Sequence, residues 1–461
     1  MVVSSAEIAR SLEQSNESPY TFSAKRTQTT WKTELESLQC HFTWKLNLQR
    51  SKLFLLRDQL EDIGVVEGYK WLGHIYNLQG YVRYRLGSSK DALAFFSMAA
   101  EALRQMRNTV SEEGPWLAVN YGNLAWLHYR MGEATQCQTY LSKVDNLRTE
   151  YPSPCPEELH PEICAEKAWA LMKFGKDNTL VALQYFQRAI RMQPDMIEWH
   201  SSHVLALAST SKLYQSGLDG NAFEKLKVAK KHDPNNLYLA TIYLAACAAR
   251  GRRIEGEARQ LAKEILKKPV SSYSGIKPLL KVFRVYLSMD EALDLAEEAL
   301  ERHPGERYLK RCAAICYKKK VFSHRDILPE PALVDRAVGL YREVILLYRQ
   351  SSLKRKLTLA NLYVKSTHEQ AKAAEIFEEL LLHQGEQEPG DRQMLYNYYA
   401  KYLQSAQRER YKSIEYYMRA AAIQHPSVYR VNSIQILEKI RERERNKMCR
   451  EIEEFLNNLQ G

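Results

Sequence analysis

Glycine and proline are scarce, 19 and 15 in 461 residues. An all-β chain needing a turn about every ten residues would use more of both, and a collagenous or mainly disordered chain many more. Helix is what remains. No apolar run reaches the roughly 18 residues of a membrane span. The start, MVVSSAEIARSLEQSNE, lacks the basic opening and apolar stretch of a secretory signal, so the expected location is the cytoplasm, with no membrane contact. The eight cysteines, Cys40, Cys137, Cys155, Cys164, Cys247, Cys312, Cys316 and Cys449, contain no CxxC pair, which argues against a zinc ribbon or a disulfide framework. Cys312 and Cys316 stand one helical turn apart without a second ligand pair; all eight read as small side chains of a reduced core, and no metal or other cofactor is expected. Also missing are a glycine-rich phosphate loop, HExxH and GxSxG, and the 12 histidines are dispersed. His128 and His203 therefore read as polar packing residues, and the chain as no enzyme acting on a small-molecule substrate.

Charge is not scarce. The formal net charge is +11, and residues 301–360 alone hold 14 Lys/Arg against 6 Asp/Glu. A basic field concentrated in so short a stretch points to an anionic partner, nucleic acid first, with a solvated lysine-rich surface as the alternative.

Residues 1–30 are polar and without apolar period, and read as a flexible arm with no assigned function. Beyond them the sequence repeats. Gly87, Ala92, Phe96 and Ala99 follow the intervals of a roughly 34-residue helix-turn-helix unit, with small residues where two helices touch and a large one where they wedge. Ala182, Phe186, Ala189 and Pro194 stand at offsets of 4, 7 and 12, and Ala222, Leu226, Ala229 and Pro234, like Ala292, Ala296, Ala299 and Pro304, keep these offsets. Looser copies run through Cys137, Leu141 and Val144, through Ala258 and Ala262, through Ala337, Tyr341 and Val344, through Ala373, Phe377 and Leu380, and through Tyr417 and Ala420. The expectation is an all-α tetratricopeptide-repeat superhelix, an α-solenoid of about nine helix pairs with irregular inserted helices. It divides into an N-terminal and central repeat region over 31–250, a basic repeat region over 251–433 that completes a channel, and a charged capping helix over 434–461. The period breaks between Phe322 and Pro331, and the stretch from Ile434 to Leu459 has no breaker and reads as one helix.

Four strings are more specific than the repeat: Cys40-His41-Phe42-Thr43-Trp44, Asn123-Leu124-Ala125-Trp126-Leu127-His128-Tyr129-Arg130-Met131-Gly132, Glu166-Lys167-Ala168-Trp169-Ala170-Leu171-Met172-Lys173-Phe174-Gly175, and Leu359-Ala360-Asn361-Leu362-Tyr363. In this order and spacing the chain, over roughly 35–440, resembles the interferon-induced proteins with tetratricopeptide repeats, an antiviral family of vertebrate cytosol. The resemblance implies a non-enzymatic superhelical effector of innate immunity. Some members hold the 5′ end of foreign single-stranded RNA, triphosphate or cap, in a basic central channel; others act as partners of those members, in homo- or hetero-oligomers. An adaptor whose groove holds a peptide from another antiviral protein is the second reading.

A reader of RNA ends needs cations facing phosphates, donors that fix their geometry, and a flat group against the first bases. Lys277, Lys281 and Arg284, spaced by four and three, share one face of one helix and fall where RNA-binding relatives place basic channel residues. Pro278 suits the first turn and puts Lys277 at the helix entrance. The resemblance sets Tyr308 and Arg311 where relatives use an aromatic and polar donors, Lys173 at a channel lysine, and Lys70 near the entry. Trp169 corresponds to the tryptophan that lies against the terminal base in cap-accommodating relatives, although a tryptophan in a helical repeat also packs between helices, as Tyr308 could. Three departures stand out: Ser209 in place of an arginine, Thr179 in place of a tyrosine, and Ile63 in place of a glutamine, with Gln59 the nearest polar substitute. The lost guanidinium is a bidentate phosphate clamp that lysine does not copy; a one-turn slip would bring His203 or Lys212 towards its place.

Overall fold

The computed structural model describes residues 31–64, 69–107, 113–211, 213–323, 329–443 and 447–460. The arm expected at 1–30, Lys212 and part of the break between Phe322 and Pro331 lie outside the described residues. Among the described residues every regular element is helical, and the fold is an all-α tetratricopeptide-type solenoid in which helices pack on their sequence neighbours. Two compact units emerge. The first holds the residues up to Asn47 and Trp71–Trp199, the second Leu48–Lys70 and everything from His200 onward.

In the first unit the helix pairs are α2 (Leu72–Arg85) with α3 (Ser89–Arg107), α4 (Ala118–Met131) with α5 (Ala134–Glu150), and α6 (Pro161–Leu171) with α7 (Lys176–Met192); α1 (Arg50–Glu61) belongs to the second unit. The repeat positions are the contact positions. Ala92, Phe96, Ala99, Ala182, Phe186 and Ala189 are all fully buried. Gly80 shows why small residues stand there: a β-carbon on it would meet the Phe96 ring at 2.6 Å, so α2 and α3 could not approach as they do. The CHFTW string is packed in the same unit, with the Phe42 ring parallel to Trp126 at 5.9 Å and the His41 amide donating to Asn123.

The second unit runs through α8 (Ile197–Thr210, from His200 onward), α9 (Gly220–His232), α10 (Leu237–Ala248), α11 (Glu255–Leu266), α12 (Ile276–Tyr286), α13 (Met289–Arg302), α14 (Arg307–Val321) and α15 (Pro331–Leu347). It continues with α16 (Leu353–Tyr363), α17 (Ala371–Leu382), α18 (Pro389–Tyr402), α19 (Arg410–Ala422), α20 (Val428–Glu442) and α21 (Cys449–Gln460). Side chains close several helix starts: Asp219 accepts from the Ala222 amide at 2.8 Å, and Ser288 from those of Asp290 and Glu291 at 3.1 and 3.5 Å, each cap contributing about 1 kcal/mol. The turn into α12 needs Gly275, at φ +90° with the Leu237 carbonyl 2.9 Å from where a β-carbon would stand. α12 begins at Ile276, so Lys277 lies inside its first turn rather than ahead of it.

α1 joins this unit from far away in sequence. The Glu388 carboxylate accepts from the amides of Arg50 and Ser51 and from the Ser51 hydroxyl at 2.6, 3.2 and 2.6 Å, a negative charge on the N-terminus of α1. The C-terminal stretch expected as a single helix is two, α20 and α21. Burial explains the break: α21 carries an apolar stripe, and Ile452 and Leu456 reach the core of Ala400, Ile414, Tyr417, Ala421 and Leu437 only if the chain turns back.

Of the eight cysteines, six are buried and Cys155 and Cys449 half-buried, all as free thiols. Burial pushes Cys40 up to about 12 and Cys312 up to about 11, the behaviour of core thiols. Among the described residues no cluster of His, Cys, Asp and Glu could hold a metal ion, and no helix is long and apolar enough to cross a membrane.

Candidate nucleic-acid interface

α12 is strongly amphipathic. Ile276, Leu279, Leu280, Val282 and Phe283 are buried in the core of the second unit, which leaves Lys277, Lys281 and Arg284 together on the opposite side. Water reaches Lys277 and Lys281, yet surrounding protein removes enough of it to lower both amines from their ordinary range. Arg311 and Arg284 push Lys277 further down, and Arg284, Lys277 and Lys319 do the same to Lys281. Lys281 Nζ lies 3.6 Å from the Tyr214 ring centroid, a cation–π contact, and Arg284 donates to Cys316 Sγ at 3.7 Å.

The field extends along α14. Lys318 is half-buried, and burial first, then Lys319, Lys354 and Arg284, bring its amine down to about 8. The Lys318-Lys319-Lys320 run is therefore not the uniformly exposed helix end that the sequence suggests: Lys319 is exposed, Lys320 pairs with Asp290 at 2.6 Å, and Lys318 belongs to the cluster. The helix continues to Val321 and turns the three side chains in different directions. Among the described residues none of Lys277, Lys281, Arg284, Lys318 and Lys319 forms an ion pair with a carboxylate, whereas neighbouring cations do, as Lys310 with Glu343 at 2.6 Å and Arg336 with Glu297 at 2.8 Å. Mutually repelling cations that form no carboxylate ion pair are a site that an anion would relieve.

Behind them lies a compact hub. The side chain of Asp62, wholly buried, accepts from Arg307 Nε at 3.0 Å and from the Tyr348 hydroxyl at 2.8 Å through Oδ1, and is ion-paired with Arg311 Nη1 through Oδ2 at 2.7 Å. Its backbone carbonyl accepts from the Ser272 amide at 2.8 Å. The Arg307, Arg311 and Arg355 guanidiniums lie 4.7, 5.3 and 4.5 Å from the Tyr348 ring centroid, and Arg311 lies 4.9 Å from that of Tyr308. Burial lifts the Asp62 carboxyl and the two arginines pull it back; their own pKa values are raised by the same carboxylate against desolvation. Tyr308 is 3% exposed, so its ring supports Arg311 from below and offers little face to solvent.

A second polar cluster belongs to the first unit. Trp169, 2% exposed, lies parallel to Trp71 with centroids 6.2 Å apart, and Lys173 Nζ stands 4.6 Å from the Trp169 centroid. Beneath it, Asn77 donates to Glu166 at 2.9 Å, His74 Nε2 is 3.7 Å from Glu166, and Asn120 donates to Asn77 and to the Phe96 carbonyl. Burial raises the Glu166 carboxyl to about 8.

The remaining residues read from the sequence scatter. Gln59 is exposed on α1, and Lys70 contacts Asp233 at 3.4 Å. Ile63 is buried. Ser209 is exposed and donates to the Ala206 carbonyl at 2.8 Å, and Thr179 is buried and donates to the Gly175 carbonyl at 2.9 Å. His203 is buried, its imidazole lowered to about 4 by desolvation first. The structure thus brings Lys277, Lys281, Arg284, Tyr308 and Arg311 into one cluster of the second unit, and Trp169 with Lys173 into another of the first. Sequence reading missed Asp62, Arg307, Tyr348 and Arg355. The only local signal was the crowding of cations within 301–360.

No family model matches the chain. The human antiviral innate immune response effector IFIT1 is 26% identical over 427 residues, spanning 89% of this chain and 87% of that protein. Two solved structures, described as the human IFIT1 dimer with PPP-AAAA and with m7Gppp-AAAA, are each 25% identical and cover 90% of this chain and 91% of theirs, with TM-scores of 0.62 and 0.64. Over most of its length the chain is thus similar to the interferon-induced proteins with tetratricopeptide repeats. Human interferon-induced protein with tetratricopeptide repeats 2 is 29% identical over 291 residues, 62% of this chain and 60% of that protein. Likeness to this family runs through both units, so the clusters on α6 and α12 both lie within the related length.

Proposed function

We propose that the chain is an interferon-induced antiviral effector of the cytoplasm that sequesters foreign single-stranded RNA, holding its 5′ region against the basic cluster of α12 and α14 without an enzymatic step. The observation that carries this is the set of Lys277, Lys281 and Arg284 on one face of α12, joined by Lys318 and Lys319 and, among the described residues, forming no ion pair with a carboxylate. It is supported by the solved human IFIT1 structures with PPP-AAAA and m7Gppp-AAAA. The lysines neutralise backbone phosphates, Arg284 and Arg311 supply directed donors, and Tyr308 and Tyr348 fix the guanidiniums. In this reading Trp169 and Trp71 hold Lys173, and Lys70 and Gln59 contribute outlying polar contacts. Assembly with itself or with relatives belongs to the same proposal, prompted by the dimeric human IFIT1.

Binding carried by phosphates weakens steeply between low and physiological salt. Short RNAs of one sequence with a 5′ triphosphate, a cap or a hydroxyl, titrated at two ionic strengths, test it. Salt-sensitive affinity is expected for all three; RNA affinity that is absent or indifferent to salt would instead favour an adaptor with an apolar peptide groove.

A further inference from the structure

We infer that Asp62 is a specificity-determining residue: its carboxylate is a built-in anion that holds Arg307 and Arg311 and so lowers the preference for a highly charged RNA 5′ terminus over a less charged one. This rests on the proposed binding of RNA 5′ regions. The geometry resembles a phosphate site already filled. Arg307 Nε and the Tyr348 hydroxyl donate to Asp62 Oδ1 at 3.0 and 2.8 Å, and the Arg311 guanidinium is ion-paired with Oδ2 at 2.7 Å, charges and donors that would also suit a phosphate.

The carboxylate cannot leave easily. Asp62 lies just past the end of α1, its carbonyl accepts from the Ser272 amide, and Arg307 donates to the Asp58 carbonyl at 3.1 Å. Glu61 also pairs with Arg307 at 3.2 Å, but among the described residues Asp62 is the carboxylate paired with Arg311, and Asp58 receives Arg57 at 2.6 Å and the Ser351 hydroxyl. An incoming triphosphate must therefore compete with Asp62 for Arg311 and Arg307, and its charge is repelled by the carboxylate it fails to displace. A hydroxyl end or the body of an RNA needs only Lys277, Lys281, Arg284 and their neighbours, and is little affected. Arg311, 13% exposed along its side chain and within the electrostatic reach of Lys277, is the group through which the two effects meet.

The test compares one RNA sequence with a 5′ triphosphate and with a 5′ hydroxyl, bound to the full chain and to Asp62→Asn. Asparagine keeps the shape and an acceptor for Tyr348 but removes the charge. The ratio of triphosphate to hydroxyl affinity should rise in the variant on the order of tenfold, as for one regained charge-assisted contact. An unchanged ratio overturns the inference, and so does a fall, which would mean that Asp62 assists the triphosphate, for instance through a bound cation. Asp62→Asn/Arg311→Gln removes the Asp62–Arg311 pair and leaves Arg307 paired with Glu61 at 3.2 Å, so it serves even if the single variant does not fold. It should keep the wild-type ratio, and loss of the triphosphate preference in it would show Arg311 to be an uncompensated grip and overturn the inference. If the wild-type protein binds neither RNA in a salt-sensitive way, the RNA reading itself has failed; if it binds both and the variants behave otherwise than stated, only the role of Asp62 has.

Discussion

Reversing Lys281 and Arg284 to glutamate separates a defined cation cluster from diffuse electrostatics. Neither side chain is buried in the core, and both stand among cations, so the reversal removes repulsion as well as charge. Each charge-assisted contact to a phosphate contributes about 1.5–3 kcal/mol, which for two contacts is about 3–6 kcal/mol, or roughly 10² to 10⁴ in affinity. Exposure of Lys281 and physiological salt place the expected loss near the lower end, about 10²-fold. The slope of log affinity against log salt should fall by about 1.4, at about 0.7 per phosphate on a single strand. The melting temperature should fall by only about 2–4 °C, since the reversal loses the Lys281–Tyr214 and Arg284–Cys316 contacts but no buried apolar side chain. The comparison is Lys267→Glu/Lys268→Glu, exposed cations of the same unit beyond α11; Lys318 and Lys319 cannot serve, because Lys318 is part of the cluster. Fluorescence anisotropy with a short labelled RNA and thermal unfolding would be measured for both variants. Equal losses would refute a defined site, unchanged binding would place the RNA elsewhere, and an unfolded protein would make the α12 stripe structural.

Lys318, lowered to about 8 in the folded chain, ties pH to binding and stability in opposite directions: its charge destabilises the fold at neutral pH, that penalty fades as pH rises from about 8 towards the unfolded lysine value near 10.5, and RNA affinity falls over the same range. Lys318→Met should remove part of both trends, and an affinity that grows with pH would contradict this. Glu166, raised to about 8 by burial, stabilises the fold fully below its unfolded value near 4.5, and that contribution is lost as pH rises through about 8; Glu166→Gln should flatten the thermal stability of the protein across this window, and an unaltered slope would show that the carboxyl is not the source. Phe96, fully buried against Gly80, should cost about 3–5 kcal/mol when replaced by alanine, read by urea unfolding of the first unit, and a loss below about 1 kcal/mol would mean that the α2–α3 contact relaxes around it.

Much of this architecture is legible in the sequence because it is local. Ala92, Phe96 and Ala99 announce a helix pair by spacing alone, and Lys277, Lys281 and Arg284 share a face for the same reason. The hub around Asp62 is not local. Its partners Arg307 and Tyr348 stand 245 and 286 residues away, and nothing in the period of α1 says which later helix it meets. The lysine run at 318–320 reads as solvated because like charges avoid burial, yet α14 turns one of the three inward. The C-terminal stretch has no breaker, and only the need to bury Ile452 and Leu456 divides it. Trp169 and Tyr308 were legible as aromatics of the right type at the right place, but their enclosure depends on Trp71 and on α12, which spacing does not supply.

Photo-crosslinking decides whether RNA lies against α12 and α14. A short RNA carrying 4-thiouridine near its 5′ end, irradiated with the full-length protein and mapped by mass spectrometry, should mark peptides that contain Lys277 to Arg284 and Arg311 to Lys319. Marks spread over exposed lysines such as Lys263, Lys267 and Lys268, with none on those two helices, would place the RNA elsewhere.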